Sequence, residues 1–150
     1  MDITTGSIKE LREMTGVSVM QCKDALLEAG GDLAEAAVIL KKRSGASARK
    51  KADRELKAGA VGSYTHDENI GAMVLLSCET DFVAKNQEFA ALARELAMQV
   101  AAMDPESADE LLEQPSIKNE GKTVHALLDE ATQKFGERVE ITQFARLSSR

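Results

Sequence analysis

The chain has 150 residues, a formal net charge of −6 and an aromatic content of 3%. That length holds one ordinary domain plus a small module. The charge argues against a general nucleic-acid binder, which needs a broad basic face, and the few aromatics leave little on which to stack bases.

The charge is uneven. Lys41 to Lys57 holds eight Lys/Arg against two Asp/Glu, whereas Asp104 to Glu140 has ten acids and four bases. Cys22 and Cys78 are far apart and form no Cys-x-x-Cys pair. They read as small buried hydrophobes in a reducing compartment. Met1 to Glu10 lacks a basic start followed by an apolar run, so no secretory signal is expected. The longest apolar stretch is too short to span a bilayer. The expectation is a cytoplasmic chain with no membrane partner.

Three short helices are predicted first. One starts near Thr5, with Ile8 and Leu11 on one face and Gly16 beyond its end. Ser18 begins the second, with Gln21 completing a capping box; Met20, Leu26 and Leu27 supply its apolar side, and Gly30-Gly31 ends it. Asp32 and Glu35 repeat the box for the third, which buries Leu33, Ala36, Ala37 and Leu40. Residues 1–43 thus make a three-helix module with a very small core, marginal alone and suited to docking. Gly45 is expected to stop the third helix, and 44–58 to form a basic linker helix whose charges face water.

From Gly59 the pattern turns to strand. Ala60–Thr65 and Ile70–Glu79 flank the polar turn His66-Asp67-Glu68-Asn69, which predicts a β-hairpin. The second strand is apolar on both faces: Ile70, Ala72, Val74, Leu76 and Cys78 on one, Met73 and Leu75 on the other. Such a strand wants cover on both sides. A long helix is predicted over Asp81–Met103, ended by Asp104-Pro105, and then an acidic loop over 106–121 with a helical turn near Ala108–Leu112. A second amphipathic helix follows over Thr123–Phe135, stopped by Gly136. Arg138–Leu147 then alternates, with Val139, Ile141, Ala145 and Leu147 inward and Glu140, Thr142 and Arg146 outward. Residues 59–150 therefore read β-β-α-α-β, a small antiparallel sheet with helices on one face, and the fold class is α+β.

The corner where the second strand becomes the long helix reads Thr80-Asp81-Phe82-Val83. Asp81 is placed to cap the first turn and complement the helix dipole. Phe82 admits two readings. It lies seven positions before Phe89 and so continues the stripe of Phe89, Leu92, Leu96, Val100 and Met103, which by periodicity puts it in the core. Alternatively, it projects from a rigid base towards something else.

No catalytic constellation is found. There is no Gly-x-x-x-x-Gly-Lys-Ser/Thr loop and no Gly-x-Ser-x-Gly elbow, and Gly59-Ala60-Val61-Gly62 is too short for a phosphate loop. His66 and His125 read as surface residues, and two dispersed His and two Cys predict no metal site. The expectation is a binding protein that is not an enzyme and carries no cofactor.

Three stretches resemble the elongation factor Ts family, the guanine-nucleotide exchange factors of elongation factor Tu. They are Lys9-Glu10-Leu11-Arg12-Glu13-Met14-Thr15-Gly16 running on to Met20-Gln21-Cys22-Lys23-Asp24-Ala25-Leu26, then Arg49-Lys50-Lys51-Ala52-Asp53-Arg54, then Cys78-Glu79-Thr80-Asp81-Phe82-Val83-Ala84-Lys85-Asn86. The resemblance implies that the N-terminal module, similar to a ubiquitin-associated domain, docks on elongation factor Tu in its GDP-bound and nucleotide-free forms. It implies docking through Lys9, Arg12, Val19 and Met20, and an exchange element of Thr80, Asp81, Phe82 and Val83 that displaces Mg2+. It also turns Phe82 outward. Val19 stands where the family often has a methionine. Longer members carry a duplicated core for which this chain has no room, and short members are similar in being dimers. A homodimer joined through the sheet would cover Met73 and Leu75, since two sizeable helices cover only one face; elongation factor Tu or the linker is the competing cover. The rival readings are a nucleic-acid-binding module using 41–57 and a ubiquitin-like-protein adaptor built on the first forty residues.

Overall fold

The computed structural model describes residues 3–150, so the first two positions of the expected 1–43 module lie outside it. Contacts divide the chain into two units, one running to Ala52 and including Asp129–Gly136, the other comprising Asp53–Leu128 and Glu137–Arg150.

In the first unit, α1 (Thr5–Thr15), α2 (Val19–Glu28) and α3 (Leu33–Lys51) each start on a side-chain cap. Thr4, Ser18 and Asp32 accept from the backbone N–H of Ser7, Gln21 and Glu35, satisfying donors that the helix cannot. The box at α1 is completed by Ser7. Gly16 ends α1 in the left-handed conformation at φ 71°, which glycine adopts without steric cost. Leu11, Val17, Cys22, Ala25, Leu26, Ala36 and Leu40 form the core. Of the apolar side expected for α2 only Leu26 goes inside; Met20 and Leu27 are exposed.

The expected stop at Gly45 and the separate linker helix over 44–58 are both corrected. Helix α3 runs through Gly45 to Lys51, and a short turn leads to the first strand. A helical glycine costs only about 1 kcal/mol relative to alanine, and the alanines and basic residues after it are good helix formers. Ser44 is buried; its hydroxyl turns back to the Leu40 carbonyl at 3.0 Å and meets the Gln133 side chain. Arg49, Lys50 and Lys51 sit in the last turn, where their charge complements the dipole.

In the second unit, β1 (Ala58–His66) and β2 (Ile70–Cys78) form the hairpin, and β3 (Glu140–Ser148) pairs antiparallel with β2. The order is β1-β2-β3. The long helix expected over Asp81–Met103 is two helices, α4 (Asp81–Ala84) and α5 (Gln87–Met103), with Asn86 as a new N-cap accepting from Glu88 N–H at 2.8 Å. The acidic loop contains α6 (Ala108–Glu113), and α7 spans Val124–Phe135. Buried Gln99 on α5 pins this loop, donating to Gln114 and the Pro115 carbonyl and accepting from Ile117 N–H. The unit is α+β.

Helix α5 packs against β1 and β2, on the face carrying Ala72, Val74 and Leu76. Gly62 makes that approach possible. A Cβ there would fall 2.2 Å from the carbonyl carbon and oxygen of Ala93. Gly62→Ala is therefore expected to destabilise the fold by about 1–3 kcal/mol, because helix and sheet must separate. Urea unfolding checks this, and an unchanged midpoint would contradict the close packing.

Beyond Ile141 the alternation of β3 is not as expected. Leu75 pairs with Gln143 but Leu76 with Ile141, so Thr142 is an extra residue, a β-bulge, whose hydroxyl meets that of Ser77 at 2.8 Å. The bulge reverses the phase. Val139 is buried as expected, but Ala145 and Leu147 face out, and half-buried Arg146 turns to donate to the Ala101 carbonyl. The face of the sheet opposite α5 thus exposes Val61, Met73 and Leu147.

Candidate functional site

The chain leaves β2 through Glu79 and enters α4 at once. Thr80, with extended backbone, is the N-cap: its hydroxyl accepts from Val83 N–H at 3.3 Å. Asp81, expected as the cap, is instead the first helical residue, where its carboxylate complements the dipole. Val83 points inward and is 5% exposed; Phe82 is 86% exposed, the most exposed large apolar side chain among the described residues. The break at Lys85-Asn86 takes Phe82 out of the stripe through fully buried Phe89, which is why periodicity misplaced it.

The corner is tied down from a distant part of the chain. One oxygen of the Glu137 carboxylate accepts from the backbone N–H of both Glu79 and Thr80 at 3.0 Å. The other accepts from the Thr80 hydroxyl at 2.7 Å. In return the Glu79 carboxylate accepts from Arg138 N–H at 2.5 Å and lies 3.6 Å from the Arg54 guanidinium. Arg138 in turn donates to the Arg54 carbonyl and to Glu140. Beneath the corner, the buried Cys78 thiol donates to the Thr80 carbonyl at 3.3 Å. Burial pushes this thiol up, and the nearby carboxylates of Glu137 and Asp81 add to the shift. Burial likewise raises Cys22.

The docking residues expected from sequence lie on the first unit, and all are exposed: Lys9 and Arg12 one turn apart on α1, Val19 and Met20 in the first turn of α2. Val19 is 51% and Met20 73% exposed. Two features escaped the sequence reading. Leu27, seven positions after Met20 and hence on the same face of α2, is also exposed. Glu137 stands between α7 and β3, where no periodicity marks it. A carboxylate directly after a helix C-terminus, away from the end its charge favours, was the available signal.

His66 and His125 are on the surface, with His66 Nδ1 3.0 Å from the Tyr64 hydroxyl. Among the described residues no group of His, Cys, Asp and Glu could hold a metal ion, and no helix is long and apolar enough to cross a membrane. What the geometry presents is a surface for contact: one aromatic side chain on a single helical turn, anchored by its buried neighbour.

The family model described as elongation factor TS matches residues 79–150, from the corner to the last strand. Elongation factor Ts of Thermodesulfovibrio yellowstonii is 37% identical over 190 aligned positions, covering 97% of this chain and 96% of that protein. The Pseudothermotoga lettingae protein of the same name is 54% identical over 106 positions, covering 70% and 54%. That of Azoarcus is 41% identical over 150 positions, which is 99% of this chain but 50% of the relative.

Proposed function

Since the chain belongs to the elongation factor Ts family, we propose that it is a guanine-nucleotide exchange factor for elongation factor Tu, acting in the cytoplasm during translation elongation. The N-terminal helices dock on the GTPase through Lys9, Arg12, Val19 and Met20. The corner Thr80–Val83 enters beside the nucleotide and displaces Mg2+. The observation that carries this reading is Phe82, 86% exposed beside a 5% exposed Val83. A ring this exposed, held on a capped helical turn with its neighbour buried, has the form of an aromatic anchor for a partner's pocket.

The mechanism is linkage. If Mg2+ with GDP and this protein stabilise different arrangements of one site, each weakens the other by the same factor. Bound Mg2+ is among the strongest charges in such a site, so displacing it removes much of the hold on the β-phosphate. No bond is made or broken, and the protein needs only a docking surface and a stiff wedge. The exposed Val61, Met73 and Leu147 support a further part of the reading, a homodimer joined through the open face of the sheet.

Stopped-flow release of fluorescent GDP from elongation factor Tu tests the proposal. Release that accelerates and saturates with the concentration of this protein supports it; release at the intrinsic rate throughout rejects it. Salt-dependent RNA binding through 41–57 would point to the nucleic-acid rival.

A further inference from the structure

We propose that Glu137 is the positioning residue of the exchange corner, holding Thr80 so that Phe82 projects at a fixed angle. The inference rests on the reading of Phe82 as the exchange element.

Three donors converge on this one carboxylate: the backbone N–H groups of Glu79 and Thr80 and the Thr80 hydroxyl. Because the hydroxyl spends its single proton on Glu137, its lone pairs are left for Val83 N–H. The result is one directed chain, from Glu137 through Thr80 to the residue that follows Phe82. Each link polarises the next. A carboxylate is the side chain that accepts on both sides. Glutamine has one acceptor oxygen, so its amide would face either the two backbone donors or the hydroxyl that caps α4.

The sheet does not need this residue. The β2–β3 ladder already runs from Ile70 opposite Ser148 to Ser77 opposite Glu140, and Glu137 lies outside it. What its bonds hold is Glu79 and Thr80, the two residues between the sheet and α4. Its loss should be felt in the attitude of Phe82 before it is felt in the fold.

The test measures GDP release from elongation factor Tu over a concentration series of the full-length protein. Glu137→Gln is expected to lower the maximal rate about tenfold, the scale of a lost hydrogen bond to a charged group. The half-saturating concentration should change by less than about twofold, since docking resides in other residues. In a Phe82→Ala background, Glu137→Gln should add less than about twofold, because it acts through the ring already removed. Thr80→Val breaks the same link from the other end and serves if Glu137→Gln does not fold; the same loss of maximal rate is expected.

If Phe82→Ala alone exchanges normally, the reading of the corner fails and the inference with it. If Phe82→Ala is slow while Glu137→Gln or Thr80→Val reaches the wild-type rate, only the role of Glu137 is rejected. Losses that multiply in the double variant, or that track a lowered melting temperature, also overturn it.

Discussion

Phe82→Ala is expected to slow nucleotide release from elongation factor Tu by at least about tenfold while leaving the melting temperature almost unchanged. The ring is 86% exposed in the isolated chain, so truncating it opens no cavity. Surface substitutions of this kind usually change stability by less than about 0.5 kcal/mol. An aromatic anchor that acts as an interface hot spot costs about 2 kcal/mol or more when truncated, which sets the size of the loss. Phe89, fully buried under the sheet, is the internal comparison. Its truncation should cost about 3–5 kcal/mol and lower the melting temperature clearly. Stopped-flow release and thermal melts on both variants separate the two roles. Normal exchange by Phe82→Ala, or unfolding as its main effect, would sink the wedge.

Met73→Asp is expected to convert a dimer of twice the 16.2 kDa chain mass into a monomer. Met73 lies on the central strand, opposite Ser63 of β1 and Ala145 of β3, with Val61 and Leu147 exposed on the same face. A twofold contact would bury the patch against itself, so one substitution would place two carboxylates in the interface. Burying an unpaired charge costs far more than the methionine side chain contributes by its own burial. Since Met73 is 54% exposed in one chain, the isolated fold should tolerate the change. Light scattering at micromolar concentration decides: a wild-type mass near one chain rejects the dimer, and an unchanged dimer in the variant rejects this face.

Much of this was legible in the chain, for local reasons. Ser18 and Asp32 announce helix starts because a cap acts within three residues, and the hairpin turn is equally local. The Thr80–Val83 corner could be found because a strand pattern meets a helix pattern there. What local reasoning missed turned on competition or distance. Gly45 is a helix breaker by propensity, but its cost is only about 1 kcal/mol, and the alanines and basic residues after it carry the helix on to Lys51. Thr80 took the capping position from Asp81, and Asn86 started a second helix inside an unbroken apolar stripe. The bulge at Thr142 shows only when β3 is laid against β2, so alternation alone puts Leu147 on the wrong face. Glu137 meets its partners across nearly sixty positions of sequence. No periodicity in either segment could have joined them.

The state of the two thiols has a practical consequence. Cys22 and Cys78 are both buried, and both are held above the ordinary thiol range. Alkylation proceeds through the exposed thiolate, so at neutral pH neither should react appreciably with maleimides while the chain is folded. The natural protein thus behaves as a cysteine-free background for site-directed fluorophores. A dye carried by a cysteine placed on α1 or next to Phe82 would report the approach of elongation factor Tu without removing either native residue. Intact-mass measurement after labelling checks the premise: the native chain should gain no adduct until denaturant is added, and then two.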